Sequence, residues 1–227
     1  VGTQAAEGAA PVSDRVRLVR RRERGRHDRE TIEAILDEAL VAHLAIVLPD
    51  GQPLALPTLH ARHGDVVYCH GAVAGRTMRA MGTGAPVCLT ASLIDGLVLA
   101  RSAMHHSANY RSAVIFGRGR PVEDHAEKLA AFEAIVERIV PGRWAEVRPP
   151  TENEMRATAV VAIAIDEASA KIRTGPPADD EEDYGLDAWA GVIPLSLAVG
   201  APQPDPLLRA GIELPERIAA YSRSAAP

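Results

Sequence analysis

Aromatic residues make up only 4% of the 227 residues, and there are two cysteines, Cys69 and Cys88. Each cysteine sits in an apolar run, and the two do not form a CxxC pair. That spacing excludes a disulfide framework and fits buried, reduced thiols. No run of about eighteen apolar residues occurs, so no membrane span is expected. The opening VGTQAAEGAAPVSDR lacks the basic–apolar–small order of a signal peptide, which points to a cytoplasmic protein. Positive charge is not in excess: the formal net charge is −5. A protein devoted to nucleic acid is therefore not expected. The one basic run, Arg15 to Arg26, has no interleaved aromatics. It reads as a solvated arm, or as one that docks on a partner subunit.

Catalytic signatures are missing too. There is no P-loop and no GxGxxG. Ser92, Ser102 and Ser107 have no GxSxG setting, so a hydrolase triad has no support. His105 and His106 are adjacent, and on a strand they would point to opposite faces. No HxxxH or CxxC accompanies them, and no metal site is expected. The acidic run Asp179 to Asp183 lacks calcium-loop spacing and reads as a solvated loop.

What is present is a run of short strands with helices at the margins, the pattern of a small β-barrel. Asp28 is a good N-cap for a helix from about Arg29 to Leu40, with Ile32, Ile35, Leu36 and Leu40 on one face. Asp124, with Glu127 three residues on, opens a second helix over about His125 to Val140. Strands are expected at His43–Leu48, Pro53–Arg62, Asp65–His70, Pro86–Leu93, Leu97–Ser102, Ser112–Val122 and Ala157–Ile165, the last with an extension at Lys171–Arg173. Asp95-Gly96 reads as a hairpin turn. The division expected is a disordered leader and basic arm over 1–25, a barrel over 26–195 and a C-terminal extension over 196–227.

The chain is organised around DVVYCHGAVAGRTMRAM, Asp65 to Met81. A strand breaks at Gly71 and Gly75, then a helix opens with Arg76 and Thr77. Backbone N–H groups, a bidentate arginine and a hydroxyl there would suit a phosphate. An ordinary strand–turn–helix with a solvent-facing arginine is the alternative.

The ordered set LAIVLPDGQPLALPTLHARHGDVVYCHGAVAGRTMRAM, PVCLTASLIDGLVLARSA, NYRSAVIFGRG and WAGVIPL resembles the FMN-binding split barrels related to pyridoxamine 5′-phosphate oxidase. The likeness is to the flavin-nucleotide-binding, nitroimidazole-reductase-like branch. It implies a mainly β fold with peripheral helices, a split β-barrel, and a homodimer with FMN at the subunit interface. The activity it implies is a flavin-dependent oxidoreductase of small soluble substrates. It places His70 beside the flavin ring as a catalytic proton relay, next to Gly71. Arg76 and Thr77 match the phosphate-binding pair, although the family often has lysine at the second place. His60 matches a basic position, Arg111 and Ser112 approach the flavin from the other subunit, Ser112 at the ring edge and Arg111 on either the phosphate or an interface carboxylate, and Trp189 lids the ring by stacking. Two other readings stand on the same barrel. One is a non-catalytic flavin- or haem-binding protein, with the His105-His106 pair offering an axial ligand. The other is a deazaflavin-dependent reductase.

Overall fold

The computed structural model describes residues 9–223. The expected leader falls largely outside the described residues. The described residues form one antiparallel sheet of ten strands with five α-helices on its margins. The strands are β1 (Gly25–Arg26), β2 (Val41–Val47), β3 (Pro53–His63), β4 (Val66–Ala72), β5 (Pro86–Leu99), β6 (Ser107–Arg118), β7 (Arg120–Pro121), β8 (Thr158–Ala164), β9 (Glu167–Arg173) and β10 (Gly191–Pro194). Their order is β1-β9-β6-β5-β2-β3-β4-β8-β7, with β10 added on β5.

That order forces closure. β8 and β9 are separated by two residues, yet they lie near opposite ends of the sheet. β6 and β7 are split in the same way by Gly119 alone. The sheet must curl until its ends meet, which gives a barrel. Gly119 sits where a side chain has no room. A Cβ there would lie 2.8 Å from the Met81 carbonyl oxygen and 3.0 Å from Val161.

Alternation along the strands fills the barrel. Ala42, Leu44 and Ile46 of β2 face inward, as do Val87, Leu89 and Ala91 of β5 and Val161 and Ile163 of β8. Helix α1 (Arg29–Glu38) adds Ile32, Ile35 and Leu36 to this core. Its N-cap is Asp28, whose carboxylate accepts from Thr31 N–H at 2.8 Å. Helix α2 (Arg76–Gly82) adds Met78 and Met81. A second, smaller cluster lies on the other face of β4 and β8: Tyr68, Val160 and Ala162, under Ala131 and Phe132 of α3 (His125–Ile139). Asp124 caps α3 through Glu127 N–H at 2.8 Å. Helices α4 (Glu152–Ala157) and α5 (Glu216–Ala219) are short.

Three local expectations change. Asp95-Gly96 is no hairpin: β5 runs straight through it, with a register shift between Ile94 and Gly96 against β6. A bulge absorbs the extra residue because strands on both sides hold β5 in place. Lys171–Arg173 does not extend β8 but belongs to β9, which pairs with β6. The basic arm is neither free nor reaching away. Its Val16 is buried, Arg15 bonds Glu167 at 2.8 Å, and Gly25 and Arg26 pair with β9.

Among the described residues no helix is long and apolar enough to cross a membrane.

Candidate cofactor site

Each residue expected at the site has a definite place. Arg76 is exposed at the start of α2, and Arg79 is exposed one turn later. Residues three apart on a helix are neighbours. Neither guanidinium has an acidic partner among the described residues. They line a groove of about 440 Å³ together with Val47, Pro49 and Thr83. Thr77, between them, is half-buried. Gly75 gives α2 no side-chain cap, and α2 has only 7 residues. So short a helix develops little macrodipole, and the cationic character here belongs to the two arginines. The signal for Arg79 in the sequence is its place three positions after Arg76 in a helical segment.

A second groove, of about 810 Å³, shares Val47 with the first. Its floor is apolar: Ala45, Val47, Cys88 and Phe116. Arg118 stands at its edge, with Nη1 donating to the Gly84 carbonyl at 2.7 Å.

His70 is not in this group. Side chains alternate along β4. Gly71 faces Met78 of α2, at 3.0 Å from an added Cβ. His70 faces the opposite side, edge-on to Phe132 of α3 with ring centroids 6.5 Å apart. Its Nδ1 is buried without a partner, and burial holds its pKa below the ordinary histidine value. The structure therefore does not bring His70 and Arg76 onto one surface.

His60 is also displaced from any anion. It is 1% exposed, and its Nε2 lies 2.9 Å from the Leu36 carbonyl. Burial is the main cause of its lowered pKa, so it is neutral at pH 7 and supplies no charge to a phosphate. A stability effect follows. The unfolded chain protonates His60 near pH ~6.5, whereas the folded chain resists until lower pH. Stability is complete above that value and falls as pH drops through the folded pKa. Urea midpoints at about pH 7.5 and pH 5.5 should show this loss, and His60→Leu should lessen it. An unchanged pH dependence in the variant would contradict the assignment.

Arg111 is fully engaged within the chain. Its guanidinium bonds Glu38, with one contact at 2.8 Å, and Asp95 at 2.7 and 3.0 Å. It serves carboxylates, not a phosphate. Ser112 donates to the Lys171 carbonyl at 3.3 Å. Trp189 is 70% exposed, and its ring lies over Gly191, where an added Cβ would be 2.8 Å away.

The His105-His106 pair lies on a turn, not on a strand. His106 donates Nδ1–H to the Ser102 carbonyl at 2.9 Å, because a carbonyl only accepts. That fixes the tautomer and leaves the Nε2 lone pair of an exposed ring facing outward. His105 is instead tied to Ser102 Oγ at 2.9 Å and lies beside Asp179 and Asp180. The acidic run is thus not only solvated: the Asp179 side chain is 0% exposed and holds Arg101 at 3.0 Å. Folding brings His105, Asp180 and Asp183 within 4.8 Å of one another, a grouping the spacing did not reveal.

Residues 28–172 match the family model for pyridoxamine 5′-phosphate oxidase. The flavocytochrome Anf3 from Azotobacter vinelandii is 42% identical, with a TM-score of 0.89, over 94% of this chain and 99% of that one. The FAD and heme binding protein from Mycobacterium smegmatis is 37% identical, with a TM-score of 0.82, over 87% and 96%. A protein assigned to 5-nitroimidazole antibiotic resistance in Bacteroides thetaiotaomicron shares the fold at 23% identity and a TM-score of 0.56, over 65% and 86%. No curated protein matches. Given the curled sheet, the matched span and these relatives, the chain belongs to the pyridoxamine 5′-phosphate oxidase family of split β-barrels.

Proposed function

We propose that this protein is a flavin-binding redox protein that also carries haem, working as a homodimer in the cytoplasm. The observation that carries the flavin is the pair of arginines without acidic partners, Arg76 and Arg79, on a groove that adjoins an apolar one. The arginines suit phosphate oxygens and the apolar floor suits an aromatic ring. Two arginines at i and i+3 suit either the near-dianionic phosphate of FMN or the pyrophosphate of FAD; the FAD binding of the M. smegmatis relative favours FAD. A bound flavin would supply one- or two-electron chemistry. The chain's part is to anchor the phosphates and cover the ring.

The haem reading rests on the two relatives together with His106. With its Nδ1–H held by a backbone carbonyl, His106 would offer the Nε2 lone pair to a haem iron and so would be the residue that holds it. His105, tied at Nδ1 and flanked by carboxylates, suits ligation less. The structure gives no observation that would favour a deazaflavin.

The dimer is supported by an uncovered apolar face. Val41 and Val47 of β2, Leu59 of β3 and Ile94 of β5 share one side of the sheet and are all exposed. Exposed apolar side chains gathered on one sheet face suit an interaction surface. The two free cysteines are consistent with a reducing compartment.

Sedimentation velocity on flavin-loaded protein, followed at the flavin's visible absorbance, tests flavin and dimer together. A boundary of dimer mass that carries the flavin is expected. A monomer boundary with flavin removes the dimer, and a colourless boundary removes the flavin.

A further inference from the structure

A cavity of about 630 Å³ lies between the C-terminal ends of α1 and α3, the bulge of β5 and residues 221–223. Four acidic side chains line it, and all four are already satisfied. Asp37 bonds Arg62 at 2.9 Å. Glu38 and Asp95 share Arg111. Glu137 accepts from the backbone N–H groups of Gly142 and Trp144, the latter at 2.7 Å.

Two cations line the same cavity and are not satisfied. Arg138 donates Nη2 to the Ala39 carbonyl at 3.0 Å, and Arg223 donates Nη2 to the Glu38 carbonyl at 3.1 Å. Both acceptors are neutral. Arg138 Nε and Arg223 Nη1 are buried and have no partner among the described residues. Buried donors on a charged group are rarely left so. Burial, and next the nearby Arg223 cation, lower the pKa of Arg138, so the two guanidinia oppose one another. The rest of the lining includes Leu93, Ile94, Leu195 and Leu197.

We infer that this cavity binds an amphiphilic carboxylate, its head between Arg138 and Arg223 and its apolar body against those four side chains. An anion there pairs both cations without competing with Arg111, whose carboxylates are fixed. The cavity is lined by none of the residues of the α2 groove. Two sources share this chemistry: a free organic acid, or the propionate of a bound haem. The second source rests on the haem reading above; the first does not.

The test uses octanoate and haemin, each beside its methyl ester, on the full chain. Calorimetry reads octanoate and the Soret band reads haemin. The variants are Arg223→Gln and Arg138→Gln. Position 223 is near the end of the chain, so the first variant keeps the test valid if the second fails to fold. The acid form that binds should weaken about tenfold in Arg223→Gln, while its ester binds poorly to either protein. Octanoate binding that depends on Arg223 supports the site even if haemin never binds, an outcome that fails the haem reading alone. Haemin binding that depends on Arg223, without octanoate binding, assigns the head to a propionate. Haemin binding equal in wild type and variants, with no octanoate binding, overturns the site and leaves haem standing. Binding of neither probe overturns the site as well.

Discussion

Arg111→Ala is expected to lower folding stability by about 3 kcal/mol, as for removal of one partner from a largely buried ion pair. Arg111 stands on β6 opposite Leu93 of β5. Its guanidinium reaches Glu38 at the last residue of α1 and Asp95 at the β5 bulge. It therefore ties a helix to two strands. The partner side chains are only partly accessible, 20% for Glu38 and 31% for Asp95. Truncation strands two neighbouring carboxylates that water screens poorly. The same carboxylates hold the Arg111 pKa above its ordinary value, mainly because its guanidinium donates to Asp95 and then to Glu38. Arg111→Lys should recover only part of the loss, because an ammonium cannot make the fork that spans both acids. Chemical denaturation of the three proteins reads the effect. A loss below about 1 kcal/mol would mean that the cluster behaves as an exposed ion pair.

The second large effect concerns the flavin. Arg76→Ala should weaken flavin binding by about 1.5–3 kcal/mol, the range for a hydrogen bond to a charged group. In affinity that is on the order of ten- to a hundredfold. Arg79→Ala should cost about as much as Arg76→Ala with the flavin that binds, because each guanidinium would hold phosphate oxygens. Neither change should disturb folding, since both side chains are exposed and have no acidic partner among the described residues. Titration of the three apo-proteins with each flavin, FAD and FMN, gives the six affinities. Equal affinities in wild type and both variants would remove α2 from the site.

Local signals in the chain were readable, and distant ones were not. Asp28 and Asp124 announced their helices because a cap is settled within four residues. The turn into α2 before Gly75 was legible for the same reason, but the break expected at Gly71 is absent: Gly71 pairs with Ala159 and β4 runs on to Ala72. Asp95-Gly96 misled because the dipeptide permits a turn without requiring one, and β6 and β10 hold β5 straight. His60 looked like a surface base beside the phosphate site. Its actual partner, the Leu36 carbonyl, is 24 residues away, and only the packing of α1 on β3 reveals the burial. His70 and Arg76 are six residues apart, yet the period of β4 turns the histidine toward α3. The C-terminal extension gave weak helical hints and no role. Its contacts, Arg217 to Glu146 at 2.7 Å and Tyr221 to the Ile139 carbonyl at 3.0 Å, span more than seventy residues of chain.

These placements alter the chemistry expected of the barrel. His70 faces Phe132 of α3 and not the α2 groove; on the proposed reading the arginines of α2 would anchor the cofactor. The redox partners of a flavin and a haem on one chain would be each other or an external donor. Either choice requires both cofactors to be present.

The absorbance spectrum of the purified protein, taken before and after incubation with FAD, FMN and haemin, tests that requirement most directly. The account predicts two flavin bands, in the near-ultraviolet and the blue, together with a Soret band that His106→Ala shifts or abolishes. A spectrum that lacks either the flavin bands or the Soret band, once unbound cofactor has been removed after incubation, would contradict it.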